Sequence, residues 1–252
     1  MTHPIRDHLP LLARDMVAAF GLLTRIPVPF TLPRPAGVWA WPLVGLVTGG
    51  AALAVAALGL WLGLAASVVA VLAIAVQATL TGALHEDGLT DCADGFWGGH
   101  DRARRLEIMK DSRIGSYGAV ALMLALLARW SALAALLGAG AWGLALAAMV
   151  MSRAAMGLVM AGQPNARGEG LSARHGQPGW AAAWAGMGLA FGLGLAVAGG
   201  AALGLVMAVG LVAAGVARVA RAKIGGQTGD VLGATQVLAE VAALAVATAY
   251  LT

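Results

Sequence analysis

The chain has 252 residues, of which 60% are hydrophobic and only 11% are charged. Soluble domains carry about 25% charged residues, so this composition nearly excludes a water-soluble enzyme and predicts a membrane protein with several crossings. The formal net charge is +4, but the basic residues lie in polar stretches between apolar runs, so nucleic acid is not an expected partner. A single cysteine, Cys92, excludes an internal disulfide and a cysteine-based zinc cluster.

The first predicted element, 9–30, is shorter and less apolar than the runs that follow it. We predict an amphipathic helix that lies on the inner membrane surface and is ended by Pro27 and Pro29. An eighth membrane crossing is the alternative. On this interpretation, 1–38 is the cytoplasmic or interfacial start of one integral-membrane domain that covers 1–252.

The rest of the chain contains apolar runs that are long enough to cross a bilayer as helices. Together they predict an all-α, polytopic transmembrane bundle of about seven spanning helices. The 36 glycines suit close packing between such helices. The predicted spans are 41–63, 66–84, 116–137, 140–161, 180–198, 200–217 and 232–251.

Three links between these runs, at 63–66, 137–141 and 198–201, are short and carry no charge. When the chain is threaded back and forth, the neutral links fall on one face of the membrane and every long polar loop on the other. The polar loops are rich in Lys and Arg, and such loops stay in the cytoplasm. The sequence therefore predicts that the chemistry faces the cytoplasm.

The second run leads into an acidic segment, and we predict that 85–115 is a cytoplasmic catalytic loop. It begins with HEDGLTDCADG (85–95), in which Asp87, Asp91 and Asp94 share one face if the segment is helical. Clustered carboxylates repel one another, and oxygen-only donors favour Mg²⁺, Mn²⁺ or Ca²⁺. Gly88 and Gly95 would let a metal or phosphate approach the backbone. The alternative is a solvated acidic face that is neutralised by nearby basic residues.

Basic residues follow in LEIMKDSRIG (106–115). Lys110 and Arg113 are three residues apart, so we expect them to share a helix face with Asp111 turned away. A divalent cation together with Lys and Arg is a common way to hold a diphosphate. The alternative is that basic residues here only anchor the next span, which suits Arg102, Arg104 and Arg105 better.

A third polar site, GGQTGDVLG (225–233), precedes the last span. Its glycines around Asp230 suit an anion-binding turn, although such turns also simply end helices. Further on, Glu240 lies inside an apolar run. Arg129 and Arg153 are its expected partners, and the group is either functional or a buried structural ion pair.

The remaining candidates give weaker signals. His85 stands beside the acidic cluster, where it could orient a phosphate, and His175 has the character of an ordinary loop residue. Most tryptophans, including Trp41, fall near the ends of apolar runs. We interpret them as interfacial anchors rather than as a ligand-binding cage.

Several of these strings, in this order, resemble the signature of the cobalamin synthase family, the adenosylcobinamide-GDP ribazoletransferases. The resemblance extends from about residue 20 to 240. The strings that carry it are LTRIP (23–27), HEDGLTDCADG (85–95), LEIMKDSRIG (106–115), ARGEGL (166–171) and GQTGDVLGA (226–234).

The resemblance implies a Mg²⁺-dependent phosphotransferase of the bacterial inner membrane. In the implied reaction, a hydroxyl of α-ribazole, or of its 5′-phosphate, attacks the cobinamide-proximal phosphorus of adenosylcobinamide-GDP. GMP leaves, and the product is adenosylcobalamin or its 5′-phosphate. The implied partners are these small molecules and the lipid bilayer, and a homo-oligomer is compatible with the sequence.

The resemblance also assigns the site residues. The metal ligands are Asp87, Asp91 and Asp94. The catalytic residues are Asp94, Asp230, Lys110 and Arg113, with Asp94 or Asp230 accepting the ribazole proton. The substrate-binding residues are Asp111, Gly95, Arg153, Arg167, Gly229 and Glu240. Glu86 departs from the apolar residue expected there, so we leave it out of the metal set and expect it to face solvent.

Two other functions remain as alternatives. The Asp-x₃-Asp-x₂-Asp spacing is similar to that of CDP-alcohol phosphotransferases, although the full signature of those enzymes is absent because Phe96 and Trp97 follow Gly95. A cation transporter would place its acids near mid-membrane and show repeat symmetry. Here Glu240 is the one acid within an apolar run, and we see no such repeat.

Overall fold

A computed structural model describes residues 10–29, 31 and 33–251. These residues form eleven α-helices and a 3-10 helix, Pro35–Ala40, and contain no β-strand beyond an isolated bridge between Asn165 and Gln227. The α-helices are α1 Leu11–Leu23, α2 Trp41–Trp61, α3 Ala66–Thr81, α4 Leu84–Gly98, α5 Arg102–Ile108, α6 Ser116–Gly138, α7 Trp142–Gly162, α8 Leu171–His175, α9 Trp180–Ala198, α10 Ala201–Ile224 and α11 Gly229–Thr248.

Six of the helices are long and apolar enough to cross a membrane: α2 with the 3-10 helix before it, α6, α7, α9, α10 and α11. The pair α3 and α4 passes the same test together, which makes up to seven crossings, but it is bent by 88°. The predicted all-α transmembrane bundle is therefore confirmed. Six of the seven predicted runs correspond to the six long helices. The seventh, 66–84, corresponds to α3, which ends at Thr81 and passes the test only together with α4.

The bend between α3 and α4 comes from two consecutive residues with left-handed backbone. Gly82 has φ 64° and Ala83 has φ 55°. Glycine adopts this conformation freely, whereas alanine does so at a cost of about 1 kcal/mol, which the surrounding packing must offset. The bend turns α4 away from the axis of α3 and packs it against α6 and α11.

The segment predicted as a loop, 85–115, is largely helical. It contains α4 and α5, joined by a short turn at 99–101. Contacts with neighbouring helices hold this polar segment in place, since α5 packs against α4 and α10. A polar sequence alone does not distinguish a loop from a helix that is held by tertiary contacts.

The centre of the bundle is α7, which packs against α2, α9, α10 and α11. In its most apolar stretch of eighteen residues, 83% of the residues are buried. Small residues allow this close approach: a Cβ atom on Gly45 of α2 would lie 2.6 Å from the carbonyl oxygen of Met149 on α7. The glycine content therefore serves helix packing, as predicted.

The connections divide between the two ends of the bundle. At one end, the short neutral turns meet: Gly140, Trp142, Val197 and Tyr250 line one groove. At the other end, the three polar segments contact one another, for example through Arg102, which donates to the carbonyl oxygens of Ile224 and Ala166, both at 2.7 Å. The predicted separation of neutral turns from polar loops is confirmed, and the assignment of the polar end to the cytoplasm remains a prediction.

The N-terminal helix is shorter than the predicted segment 9–30, of which residues 9 and 30 lie outside the described part. It spans Leu11–Leu23 and is not among the helices long enough to cross a membrane. Asp15 anchors it by accepting hydrogen bonds from Arg34 at 2.9 and 2.7 Å and from Trp39 at 3.0 Å. That α1 lies on the membrane surface remains a prediction.

Candidate active site

The three aspartates of the acidic segment lie on α4, as their spacing predicts. They differ in exposure: Asp87 is exposed, whereas Asp91 and Asp94 are half-buried. Because α4 is helical, the three side chains leave the same face of the helix. Their surroundings differ, however, because different elements pack along that face.

A fourth carboxylate joins them from the other end of the chain. The start of α11 lies directly on α4, where a Cβ atom on Gly88 would come within 2.7 Å of the carbonyl oxygen of Asp230. Asp91 lies close enough to Asp230, Asp87 and Asp94 for the charges of the four carboxylates to interact. The structure therefore unites the first and third polar motifs, with Gly88 permitting the close approach of the two backbones.

The carboxylate of Asp94 caps a helix. Its two carboxylate oxygens accept hydrogen bonds from the backbone N–H groups of Gly115, at 2.7 Å, and Gly118, at 2.9 Å. These groups belong to the N-terminus of α6, whose first N–H groups have no partners within the helix. Asp94 thus caps α6, and neighbouring Gly95 is buried against α5, where a Cβ atom would lie 2.9 Å from the carbonyl oxygen of Arg105.

Arg167 lies beside this acidic group. It pairs with Asp230 at 2.8 Å and also donates to the carbonyl oxygen of Met109 at 3.1 Å. Its Nε has no hydrogen-bond partner among the described residues. The predicted substrate-binding role of Arg167 therefore has a partly unsatisfied guanidinium beside the carboxylates to support it.

Lys110 and Arg113 lie at the exposed edge of the polar end. Lys110 forms an ion pair with Glu169, and Arg113 pairs with Asp111 at 2.6 Å. The expectation that Lys110 and Arg113 share a helix face with Asp111 turned away is wrong, because the chain leaves α5 at Ile108 and Asp111 turns toward Arg113.

These exposed pairs also shift the pKa values of their acids. Hydrogen bonds from the Arg113 side chain and backbone lower the pKa of Asp111 to about 2. The hydrogen bond and charge of Lys110 lower the pKa of Glu169. Both carboxylates are therefore anions at neutral pH and occupy the two cations until a more highly charged anion competes for them.

The third motif forms a turn between α10 and α11. Thr228 caps α11 by accepting from the N–H of Val231 at 3.4 Å, and its hydroxyl contacts Asp230 at 3.2 Å. Two backbone hydrogen bonds join the turn to the preceding loop: Gln227 donates to Pro164 at 2.9 Å, and Ala166 donates to Gln227 at 2.8 Å. These contacts place Asp230 and Arg167 side by side.

Glu240 lies within the bundle, where it is fully buried. Arg129 pairs with it at 2.9 Å and Arg153 at 3.9 Å, and Gln236 donates to it at 2.7 Å. The predicted pairing of Glu240 with both arginines is confirmed. The expectation that Glu86 faces solvent is wrong: its side chain is 11% exposed and pairs with Arg129 at 2.7 Å. The sequence contained one signal for this pair: two arginines, Arg129 and Arg153, lie within apolar runs that contain only one acid, Glu240. A second acidic partner for these arginines could therefore have been expected.

A cavity of about 170 Å³ lies beside the carboxylates. Its polar lining includes Asp87, Asp230, Arg167 and Gly229. Neither Glu240 nor Arg153 is among the residues that line it, so these two predicted substrate-binding residues lie in the buried charge network instead. The cavity brings together residues of the first and third motifs with the 167–175 segment.

Two aromatic side chains of this cavity were not predicted from the sequence. His175 and Trp41 both line it, and they are only 3% and 2% exposed. Their rings meet edge to face with centroids 5.5 Å apart. The interpretation of His175 as an ordinary loop residue and of Trp41 as an interfacial anchor is therefore wrong. No local signal marks either residue, because their contact joins segments far apart in sequence.

The carboxylates near the cavity are the residues that could hold the predicted Mg²⁺. Among the described residues, no group of three or more His, Cys, Asp or Glu side chains is arranged to hold a metal ion. The neighbouring donors, Asp87, Asp91 and Asp230, are all carboxylates, which is the donor type that Mg²⁺ prefers. Mg²⁺ commonly binds one or two carboxylates together with substrate phosphates and water. The donor set therefore fits Mg²⁺ in type.

The chain is similar to known proteins over nearly its whole length. It is 42% identical to the adenosylcobinamide-GDP ribazoletransferase of Bradyrhizobium diazoefficiens, with 94% of each chain covered. It is 45% identical to the protein of that name from Azorhizobium caulinodans, with 94% of this chain and 96% of the relative covered. No solved structure gives a significant match. The model of the cobalamin-5-phosphate synthase family matches residues 15–248. The chain therefore belongs to the cobalamin-5-phosphate synthase family.

Proposed function

We propose that this protein is an adenosylcobinamide-GDP ribazoletransferase. A hydroxyl oxygen of α-ribazole, or of its 5′-phosphate, attacks the cobinamide-proximal phosphorus of adenosylcobinamide-GDP. A new P–O bond forms, the P–O bond to GMP breaks, and GMP leaves. The names of the relatives support this reaction, and no observation favours a lipid phosphotransferase.

The observation that carries the proposal is the meeting of Asp87, Asp230 and Arg167 around one cavity. Asp91 does not line the cavity but lies close enough to both aspartates for their charges to interact. Phosphoryl transfer needs charge neutralisation on the phosphate and a group that receives the proton of the attacking hydroxyl. Arg167 supplies a cation whose Nε has no partner. Lys110 pairs with the cavity-lining Glu169, and it can exchange that carboxylate for the diphosphate.

We assign the proton-accepting role to Asp230. Of the two candidates, Asp230 lines the cavity, whereas both oxygens of Asp94 accept backbone hydrogen bonds. The hydroxyl of Thr228 and the guanidinium of Arg167 hold the Asp230 carboxylate in place. The proton leaves the ribazole hydroxyl and passes to a carboxylate oxygen of Asp230 as the new P–O bond forms.

We further propose that Asp87 and Asp91 hold Mg²⁺. When bound, the ion would neutralise diphosphate charge, as divalent ions do in related chemistry. The support is the chemistry of the donors and the repulsion among them, which a cation would relieve. Asp94 then serves this site indirectly, by fixing the N-terminus of α6 beside α4.

The location of the protein is part of the same proposal. The polar end contains the basic residues of 102–113, 167–174 and 218–223, and positively charged ends stay on the cytoplasmic side. We therefore propose that the protein lies in the bacterial inner membrane with its active site facing the cytoplasm. A homo-oligomer remains part of the proposal, and sedimentation in detergent measures it.

The test is release of GMP from adenosylcobinamide-GDP by the purified protein. We expect release that depends on α-ribazole, stops with EDTA and returns when Mg²⁺ is added in excess. CDP-diacylglycerol serves as the comparison substrate and should release no CMP. CMP release in place of GMP release would support the lipid enzyme and contradict our proposal, and release unaffected by EDTA would remove the metal from it.

A further inference from the structure

The cavity beside the carboxylates has an apolar wall that the chemistry of phosphoryl transfer does not require. It is formed by side chains from α1, α2, α7, α8 and α11. The wall consists of Leu22, Trp41, Met156, Met160, Leu171 and Leu232. We refer to these residues as the apolar wall.

The centre of the wall is almost inaccessible to solvent. Trp41 is 2% exposed, Met156 is 1% and Met160 is 0%. The two methionines are one helical turn apart on α7 and therefore share a face. Methionine adapts its shape to aromatic surfaces and makes favourable sulfur–aromatic contacts. The wall thus combines an aromatic ring with two flexible thioethers.

The same cavity is lined by Asp87, Arg167 and Asp230. A ligand that fills it must therefore have an apolar part next to a part with hydroxyl or phosphate groups. The corrin ring of the donor substrate is too large for a cavity of about 170 Å³. Three flat bases joined to a ribose remain, namely guanine and adenine in the donor and 5,6-dimethylbenzimidazole in the acceptor. The chemistry of the wall must decide among them.

Guanine and adenine carry several hydrogen-bond donors and acceptors on their edges, and burial without partners costs free energy for each of these groups. Leucine and methionine side chains offer no such partners. Dimethylbenzimidazole has an edge with two methyl groups, which gains from burial against these side chains. The wall therefore fits the acceptor base, whereas a purine would find hydrogen-bond partners only at the polar side of the cavity, for example at Ser172 and Thr228.

We propose that the apolar wall binds the dimethylbenzimidazole base of the acceptor nucleoside and so presents a ribose hydroxyl to the side of the cavity that contains Asp87 and Asp230. This inference rests on the proposed function. Beyond that function, it says where the acceptor nucleoside binds and that the apolar wall selects its base.

Leu171→Ala is the main test, because Leu171 is 59% exposed and its loss should leave the fold intact. Leu211→Ala on α10 is the matched control, because Leu211 is 73% exposed and lies outside the cavity lining. We expect Leu171→Ala to raise the KM for α-ribazole about three- to tenfold, as lost apolar pocket contacts do. The KM for adenosylcobinamide-GDP should not change in either variant.

Competition supplies a second measurement on the unmodified protein. Free 5,6-dimethylbenzimidazole should compete with α-ribazole, and unsubstituted benzimidazole should compete more weakly because it lacks the methyl groups. GMP should compete with adenosylcobinamide-GDP alone. A raised KM for adenosylcobinamide-GDP in Leu171→Ala, with α-ribazole unaffected, would overturn the inference while leaving the proposed function in place.

A binding measurement distinguishes failure of this inference from failure of the proposed function. If the purified protein releases no GMP, equilibrium dialysis with α-ribazole alone measures the wall directly. Binding that is weakened by Leu171→Ala and not by Leu211→Ala supports the wall as a nucleoside site. Absence of binding, or equal binding by all three proteins, contradicts it.

Discussion

At the scale of single residues, Asp230 is the acid that α11 contributes to the candidate site. It contacts α4 through its backbone, pairs with Arg167 at 2.8 Å and lines the cavity. Asp87 lines the same cavity from α4. The chemistry we propose therefore depends on two carboxylates held by different helices, and each can be removed separately.

We expect Asp87→Asn to slow GMP release about a thousandfold, because it removes a charge that acts on the reacting phosphate. Asp87 is exposed, so the melting temperature should hardly change. Glu107→Gln is the matched control, since Glu107 is 69% exposed and pairs with Arg104 away from the cavity. Equal turnover in Asp87→Asn and the control would refute the assignment.

Asp15 provides a prediction on pH. Burial acts to raise its pKa, but the hydrogen bonds from Arg34 and Trp39 and the charge of Arg34 outweigh burial, and the pKa lies below its ordinary value of 3.8. A carboxyl group with a lowered pKa stabilises the fold above its unfolded pKa, and this stability is lost as pH falls through the folded pKa.

The measurement is the difference in melting temperature between the natural protein and Asp15→Asn. We expect a clear difference at pH 7 that shrinks as the pH falls below about 4. Glu107→Gln again serves as the control, because it removes an exposed carboxylate and should change the melting temperature little at either pH. A difference for Asp15→Asn that stays constant from neutral to acid pH would show that the Asp15 charge does not hold α1.

At the scale of elements, buried charge joins three helices. Arg129 on α6 pairs with Glu86 on α4 at 2.7 Å and with Glu240 on α11 at 2.9 Å. Since α4 and α11 supply the carboxylates of the site, Arg129 sets their relative position from within the bundle. Loss of the arginine would leave Glu86 without its cation and would leave Glu240 only the longer pair with Arg153 at 3.9 Å.

We expect Arg129→Met to destabilise the protein by about 3–5 kcal/mol, the usual cost of removing one partner from a buried ion pair. Arg174→Met, at an exposed position, should have little effect. Thermal unfolding in detergent measures both. The triple variant with Glu86→Gln and Glu240→Gln should recover part of the loss, and no recovery would show that Arg129 acts through its packing.

A second junction joins α4 to α6 through Asp94. Asp94→Ala removes the acceptor for two backbone N–H groups, and we expect a loss of about 1–2 kcal/mol, as for other helix caps. Asp94→Asn keeps an acceptor oxygen and should retain most of the stability and measurable turnover. If Asp94 instead binds the metal, Asp94→Asn would abolish GMP release at unchanged stability.

At the scale of the whole molecule, the separation of the two ends follows from the contacts among loops. The polar segments join through pairs such as Lys110 with Glu169, while the neutral turns meet near Trp142 and Tyr250. The charged end resists transfer across the membrane, whereas the neutral turns cross it readily. One threading of the chain satisfies both requirements.

Cysteine labelling tests this orientation, because the chain has one cysteine and it is buried. In a Cys92→Ala background, Ser112→Cys should react with a membrane-impermeant maleimide in inverted vesicles and not in intact cells. Leu62→Cys, at a position that is 63% exposed in a neutral turn, should show the opposite pattern. Reaction of both from the same side would contradict the topology.

The sequence by itself determined the helical class, the spans and the placement of the polar motifs at one end. Hydropathy and residue spacing are local properties that can be read from a short segment. An apolar run of sufficient length is stable as a helix across the bilayer, so its hydropathy alone predicts both its secondary structure and its location. The shared helix face of Asp87, Asp91 and Asp94 was predictable from their spacing, and the pairing of Glu240 with Arg129 from their positions inside apolar runs.

Only the tertiary structure decided which of these groups meet. It paired Glu86 with Arg129, turned both oxygens of Asp94 toward the backbone of α6, and placed Trp41 against His175 in the cavity wall. Such contacts join segments that are distant in the chain. They depend on how helices pack and on the 88° bend between α3 and α4, and packing is a property of the whole set of helices that no single segment encodes.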